Sequence, residues 1–369
     1  MDKTLSYPLI AHRLHIELAA GDPITLHKHS GSALRGMLFR ALVHLTQDPP
    51  RDRRSQLQFA PADPMVRYLL ATLDEGNPRG QNSPRPLTIE PWCDLRRRDN
   101  VIPPGGRIHF SLTLFTHALE AFPYLIMALR RAGVHGMGRR ADDGWRGRFS
   151  LARVWCDNPF TRQAQDVFFA GDELVRMPDL PITHDHVTQQ ATPAGHTLKL
   201  AFLTPTTLTH RNADGQRETL REPRFNVLLH RILERLTELD RLANQPYVEM
   251  EGAMPNPLPC LPQTRDARNA LLHLADGVQL IHDDTHWIDL HGRSDRTGSA
   301  TNLAGFSGLA IYEAEDWTPF MSLLRWAEIA HAGKSAVKGN GWLHLPALPP
   351  GQLAVANESL FLQEEMTDD

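Results

Sequence analysis

The feature of this sequence that most constrains its fold is an order of elements that occurs twice. In the first half, strand-like YPLIAHRLHIEL and helix-like SALRGMLFRALVHL precede two strand-like segments, a second helix, the glycine-rich GVHGMGRR and a short strand. In the second half, strand-like TLKLAFLTPTTL, a helix, two strands and a helix lead into the glycine-rich AHAGKSAVKGNG and the strand GWLHL. This is the βαββαβ order of a ferredoxin-like domain. The sequence therefore predicts an α+β chain of two tandem ferredoxin-like (RRM-like, βαββαβ) domains with a C-terminal glycine-rich loop.

The periodicity of the apolar residues places the helices. In the first helix, apolar side chains recur at intervals of three and four, which is typical of an amphipathic helix; they are Leu34, Met37, Leu38, Ala41, Leu42 and Leu45. The helix in ALEAFPYLIMALRRAG is predicted to end at Gly133, and the helix in WTPFMSLLRWAEIAHAG at Gly333, because glycine commonly follows the last helical turn.

The domain boundaries follow from this order. We expect an N-terminal domain over residues 1–157, a linker of low hydrophobicity over 158–195 and a C-terminal domain over 196–346. Residues 347–369 form an acidic tail that ends in QEEMTDD. A length of 369 residues suits two domains of ordinary size.

Composition narrows the class of protein. Hydrophobic residues make up 41% of the chain and charged residues 22%, as in globular proteins. No run approaches the roughly 18 apolar residues that span a bilayer, and MDKTLSYPLI lacks the pattern of a secretion signal. The cysteines Cys93, Cys156 and Cys260 are far apart, which favours reduced thiols. We therefore expect a cytoplasmic protein without a membrane partner.

The charge is distributed unevenly. The whole chain has a net charge of −4, but residues 31–154 contain 19 arginines, no lysine and 11 acidic residues, a net charge of +8. A basic half in an otherwise neutral or acidic protein favours a surface for a polyanion.

The second glycine-rich stretch does not have the order of a nucleotide-binding P-loop. A P-loop follows a strand, ends in Lys-Ser/Thr and precedes a helix. Here Lys334 and Ser335 open the loop, a helix precedes it and a strand follows. The sequence therefore predicts no ATP site and no cofactor.

The landmarks together resemble one family. The stretch HAGKSAVKGNGWLHL resembles the closing helix, G-K-x-x-x-x-G-x-G loop and strand of the CRISPR-associated endoribonucleases that process precursor CRISPR RNA, with Gly333, Lys334, Gly339 and Gly341 in place. These enzymes belong to the RAMP (repeat-associated mysterious protein) superfamily. SALRGMLFRAL, VIPPGGRIHFSLTLFTHALEAFPYLIMALRRAGVHGMGRR, AFLTPTTL and RFNVLLHRILERL resemble further parts of the family pattern in the same order. The resemblance covers the chain from about Leu9 to Leu345.

The resemblance implies a function and a site. Members of this family cut repeat RNA without a metal, by attack of the ribose 2′-hydroxyl, and leave a 2′,3′-cyclic phosphate and a 5′-hydroxyl. Such chemistry needs a base, an acid and cations near the phosphate, roles that suit histidine, lysine and arginine. The family site lies at the first helix and its flanking loops, facing the glycine-rich loop. The catalytic candidates there are, in order, His44, His29 and His27. A family tyrosine in this helix is absent, because Phe39 occupies about that place.

The basic and glycine residues near this site are expected to bind the RNA. Glycines let the nucleic acid approach the backbone, and the cations neutralise phosphates. The candidates are Arg35, Arg40, Arg51, Arg53, Arg54, Arg139, Arg140, Gly333, Lys334, Ser335, Lys338, Gly339 and Gly341. The expected partners are CRISPR repeat RNA or CRISPR RNA and other subunits of an effector complex. Trp342 is expected to anchor the closing strand, whereas Trp145 suits a base-stacking or an anchoring role equally.

Two alternatives stay open on the sequence. One is a catalytically inert RNA-binding subunit with the same fold. The other is a metal-dependent hydrolase built on IHDDTHWIDLH, where His282, Asp283, Asp284, His286, Asp289 and His291 are closely spaced. That segment alternates like a strand, which sends neighbouring side chains to opposite faces and argues against a shared ion.

Overall fold

The computed structural model describes most of the chain. The described residues are 8–46, 63–70, 85–91, 93, 95, 99–142, 144–189, 195–212, 214–244, 256–293 and 300–346. Their helices are α1 Gly31–Thr46, α2 Pro64–Leu70, α3 Phe122–His135, α4 His184–Thr188, α5 Phe225–Ala243, α6 Arg265–Asp276 and α7 Thr318–Ala330. None of these helices combines the length and apolar character that crossing a bilayer requires. Arg51, Arg53 and Arg54 and the predicted tail 347–369 lie outside the described residues.

The first half forms a five-stranded antiparallel sheet. Its strands are β1 Ala11–Ala20, β3 Leu87–Glu90, β5 Arg107–Phe115, β6 Phe149–Asn158 and β7 Gln163–Phe169, in the order β3-β5-β1-β6-β7. The short strands β2 Ile24–His27 and β4 Asp99–Ile102 pair separately. Helices α1 and α3 pack on one face of the sheet, where Leu34, Met37, Leu38, Ala41 and Leu42 are buried. The predicted amphipathic helix is thus confirmed.

The second half repeats the arrangement. Its main strands are β8 Thr197–Thr206, β11 Gln279–Ile288, β14 Gly305–Glu313 and β15 Leu343–His344, in the order β11-β14-β8-β15. Two short pairs flank them, β9 Thr209–Arg211 with β10 Arg217–Thr219 and β12 His291–Arg293 with β13 Ala300–Asn302. If the main strands of each half are counted in chain order and β7 is set aside, both sheets have the order 2-3-1-4. The predicted pair of ferredoxin-like βαββαβ units is confirmed.

The segment predicted as a linker contains regular structure. Within residues 158–195, β7 pairs with β6 and extends the first sheet, and α4 begins with a side-chain cap from Thr183. Low hydrophobicity did not distinguish this edge strand from a linker, because an edge strand buries only part of its surface. The domain boundaries themselves stay predictions.

Two predicted helix ends are wrong by a few residues. Gly133 lies inside α3, which continues to His135 and is followed by Gly136 at φ 74°. The reason for Gly133 is packing, since a Cβ there would lie 2.2 Å from the carbonyl oxygen of Phe149 in β6. Helix α7 likewise ends at Ala330, before His331 at φ 61°. At Gly133, the glycine allows close packing of α3 against β6 and does not mark the end of the helix.

The two halves are joined by buried hydrogen bonds. The Arg235 guanidinium of α5 donates to the carbonyl of Leu87 in the first half and to that of Ala330 in its own half, both at 3.2 Å. The Thr88 hydroxyl of β3 donates to the carbonyl of Ile329 at 3.0 Å. These bonds hold the end of α7, where the second glycine-rich turn begins, against the first half.

Candidate functional site

Helix α1 has a glycine-rich turn at each end. At its start, a Cβ on Gly31 would lie 1.7 Å from the carbonyl oxygen of Lys338, so the second turn (residues 333–341) rests directly on the helix. Near its other end, the ring of His44 lies beside that of His135, which precedes the first turn (residues 136–148). Gly31 and His44 are 13 positions apart, about 20 Å along the helix axis.

The second turn depends on its glycines. Gly333, Gly339 and Gly341 have φ of 78°, 86° and 74°, a region that side chains with a Cβ rarely adopt. A Cβ on Gly341 would lie 1.7 Å from the carbonyl oxygen of Ala332, and one on Gly339 would lie 2.5 Å from the Pro91 ring. The turn is therefore packed against both its own half and the first half.

Of the three predicted catalytic histidines, His29 is buried between the second turn and the start of α1. It is 4% exposed and its ring lies against the start of α1, 2.8 Å from the position of a Gly31 Cβ. Burial lowers the pKa of His29 to about 4, an effect that the backbone at Gly339 partly offsets. The imidazole is therefore neutral at neutral pH and is covered by the turn.

Cationic side chains lie on both sides of the second turn. Burial, and then the charges of Arg35 and Arg85, lower the pKa of Lys338 to about 8. The exposed Lys334 has its pKa lowered by burial of part of its side chain and by Arg217 and Arg231. Cations that lie close enough to lower the pKa of a lysine attract an anion that relieves the repulsion.

The other predicted residues of this turn and helix are placed as follows. Ser335 is half-buried at φ 65°, and its carbonyl accepts a hydrogen bond from the Lys338 backbone at 2.7 Å. Arg40 is half-buried on α1, with its guanidinium 3.4 Å from the position of a Gly36 Cβ. His27, the last residue of β2, is exposed.

At the opposite end of α1, His44 and His135 form a pair. Their ring centroids are 6.3 Å apart, with His44 half-buried and His135 exposed. The first turn follows His135 directly and carries the exposed Arg139 and Arg140. Arg139 donates its backbone N–H to Thr25 and pairs with Asp99 at 3.5 Å. Two imidazoles beside a basic turn are groups that can exchange protons near a bound phosphate.

The fold therefore divides the predicted site residues between the two ends of α1. His29, Arg35 and Lys338 meet at the second turn, whereas His44, Arg139 and Arg140 belong to the first. Sequence reasoning missed His135, although its place just before a glycine turn was a usable signal. It also missed Arg85, Arg217 and Arg231, which no local pattern links to the turn.

The acidic and histidine-rich segment IHDDTHWIDLH is an exposed edge of the second sheet. His282 and His286 lie on β11, opposite Ile311 and Ser307 of β14. Four positions of extended strand separate them by about 13 Å, too far for one ion. Within the described part of the chain, no group of three or more His, Cys, Asp or Glu side chains has the arrangement of a metal site.

Trp342, which follows the second turn, is buried, as its predicted anchoring role requires. Trp342 is 3% exposed and stacks on His331, with centroids 6.2 Å apart and an interplanar angle of 15°.

Comparisons with known proteins agree with this architecture. Residues 9–180 match a family model described as an N-terminal domain, and residues 200–343 match that of the CRISPR-associated endoribonuclease Cas6. The chain is similar to the product complex of a Thermus thermophilus Cas6, at 14% identity and a TM-score of 0.52, over 91% of this chain and 99% of that one. It is also similar to a chain of a partial Cas6-RT-Cas1–Cas2 complex, at 13% identity and a TM-score of 0.52, over 92% of this chain and 46% of that one. No curated protein sequence matches it.

Proposed function

We propose a function that starts from one premise: this chain belongs to the CRISPR-associated Cas6-type endoribonucleases of the RAMP superfamily. In our proposal it cleaves CRISPR repeat RNA to mature CRISPR RNA, without a metal, by attack of the ribose 2′-hydroxyl on the neighbouring phosphorus. The observation that supports this most is that each end of α1 meets a basic glycine turn. Together these turns provide a phosphate-binding path about 20 Å long.

The acid–base groups are His44 and His135. In-line cleavage needs one group to take the 2′-hydroxyl proton and another to protonate the leaving 5′-oxygen on the far side of the phosphorus. Their ring centroids are 6.3 Å apart, close enough for both imidazoles to reach oxygens of one phosphate group. Arg139 and Arg140 then supply cations for the charge that develops on the non-bridging oxygens.

The two other predicted histidines take different parts in this proposal. His29 is a positioning residue, because it is neutral and covered by the turn that it supports. His27 is exposed at the end of β2, where its backbone lies opposite Asp99, the partner of Arg139. It is the next acid–base candidate after the His44–His135 pair.

The second turn holds the RNA beyond the cut. Lys338, Arg35 and Arg85 form a cationic group on the first-half side of the turn, and Lys334, Arg217 and Arg231 form one on the other side. Arg40 lies on α1 between the two ends. At about 3.4 Å per nucleotide of a stacked strand, the helix spans about six nucleotides.

Incubation of the protein with its cognate repeat RNA in EDTA tests the proposal. We expect a single cut that leaves a 2′,3′-cyclic phosphate and a 5′-hydroxyl, and no cut when the nucleotide before the scissile phosphate is 2′-deoxy. Tight binding without products would support an inert RNA-binding subunit instead. Cleavage that occurs only with added divalent metal would contradict the metal-free chemistry.

The pKa of Lys338 gives a second expectation. Protonated Lys338 binds phosphate, so the affinity of the free protein for RNA falls as pH rises through about 8. Between pH 7 and 9 the loss reaches about tenfold, since at pH 9 roughly one lysine in ten keeps its proton. Binding to 2′-deoxy-blocked repeat RNA measures this without cleavage.

Two variants of Lys338 serve as matched controls for that measurement. Lys338→Arg keeps its charge across this window and should bind with little pH dependence. Lys338→Ala should bind more weakly at pH 7, with a salt slope reduced by about one. A wild-type affinity that is flat from pH 7 to 9 would remove Lys338 from the RNA path.

A further inference from the structure

Trp145, beside the first turn, is unusually exposed. It is 74% exposed, whereas the other five tryptophans among the described residues are buried or half-buried. Most of the indole surface can therefore be reached by a ligand.

The hairpin that presents Trp145 is braced, so its exposure does not come from a loose loop. Within residues 137–147, the Met137 N–H donates to the Gly147 carbonyl at 3.0 Å, and the Ala141 N–H donates to the Trp145 carbonyl at 2.8 Å. The Arg146 guanidinium donates to the Gly138 carbonyl and ties the two arms together.

Glycines fix the same hairpin onto β2. A Cβ on Gly138 would lie 2.6 Å from the Thr25 carbonyl oxygen, and one on Gly147 would lie 2.3 Å from that of Pro23. The backbone that precedes and follows Trp145 therefore has a fixed place on the first half.

The hairpin that carries Trp145 has more arginines than acidic residues and directly follows His135. Arg139, Arg140 and Asp142 are exposed on the opposite arm of the hairpin, and Arg148 follows on the same arm, where it pairs with Asp22 at 2.7 Å. A Cβ on Gly136 would lie 2.5 Å from the Arg146 carbonyl oxygen, so Gly136 packs against Arg146. His135 precedes Gly136 and Trp145 precedes Arg146, so both lie next to this contact. An exposed indole on a hairpin with a net positive charge suits a nucleobase with its phosphates better than an apolar surface.

We propose that Trp145 stacks on an unpaired nucleobase next to the scissile phosphate and so selects which phosphodiester is cut. This inference rests on the proposed function, because it places the base relative to His44 and His135. The stacked base sets the register of the strand, and the arginines of the hairpin hold the flanking phosphates. Trp145 is then a specificity-determining residue and takes no part in proton transfer.

The test separates binding from cleavage. Trp145→Ala, Trp145→Phe and the control Leu174→Ala, a residue that is 81% exposed after β7, are compared on repeat RNA blocked by a 2′-deoxy nucleotide at the cut. We expect Trp145→Ala to raise Kd about tenfold, Trp145→Phe to raise it less than threefold and Leu174→Ala to leave it unchanged. A 2-aminopurine scanned along the repeat should be quenched at one position by the wild type and not by Trp145→Ala. On cleavable RNA, Trp145→Ala should cut at more than one position.

The outcomes distinguish the two proposals. If the wild type binds and cuts the repeat and Trp145→Ala has the same Kd, quenching and cut position, only the stacking proposal is overturned. If the wild type binds the repeat without cutting it, the proposed chemistry fails, and the Kd and quenching still decide the stacking. A wild type that does not bind the repeat overturns both.

Discussion

Replacing His44 by alanine is expected to slow cleavage of the repeat RNA by a factor of about 100 to 10,000, the usual contribution of one general acid or base. His135→Ala should have an effect of the same order, because the two steps of proton transfer need both imidazoles. The affinity for 2′-deoxy-blocked RNA should change little in either variant. Single-turnover cleavage at saturating protein measures the effect on chemistry without that on binding.

A matched control is His273→Ala, which removes an exposed histidine from α6 in the second half. It should cut at the wild-type rate. The double variant His44→Ala/His135→Ala should be little slower than the worse single variant, since the pair acts as a unit. If His44→Ala retains the wild-type rate, the assignment is wrong and His27→Ala becomes the variant to measure.

Gly31→Ala is expected to be strongly destabilising, because the carbon that it adds meets the backbone of the second turn. The added Cβ would lie 1.7 Å from the Lys338 carbonyl oxygen and 2.8 Å from the His29 ring. Backbone cannot yield as a side-chain tip does, so either α1 or the second turn must move. We expect a loss of about 1–3 kcal/mol in the free energy of unfolding, together with weaker RNA binding because Lys338 and Arg35 separate.

Gly36→Ala on the same helix is the matched control. The nearest atom to its added Cβ is the tip of the Arg40 side chain at 3.4 Å, which can swing away. Alanine in a helix interior is favoured over glycine by up to about 1 kcal/mol, so this variant should be as stable as the wild type or more so. Urea unfolding and RNA anisotropy report the two effects; equal stabilities for Gly31→Ala and Gly36→Ala would contradict the contact between α1 and the second turn.

The elements and their order were predictable because the signals that specify them are local. The spacing of Leu34, Leu38 and Leu42 identified the buried face of α1, which the structure confirms. The strand–helix order repeated in each half was enough to predict two ferredoxin-like sheets. The wrong predictions also came from local patterns. A glycine commonly follows the end of a helix, but Gly133 lies inside α3 and allows close packing against Phe149.

The candidate site was predictable only as a set of residue types. From the sequence, His44, His29 and His27 could be ranked only through the family resemblance. In the structure one is exposed, one is sealed under the second turn with a pKa of about 4, and one stands beside His135. No local pattern separates them, because burial depends on what the rest of the chain places over each side chain.

The sequence by itself determined which elements form, their order and the basic character of the first half, since helix periodicity, strand alternation and charge are properties of neighbouring residues. Only the tertiary structure decided that Gly31 meets Lys338, that His44 meets His135 and that Arg85 joins Lys338. The physical reason is that desolvation and electrostatic coupling act through space. Here they act between residues far apart in the chain, such as Arg35 and Lys338, which are separated by 303 positions.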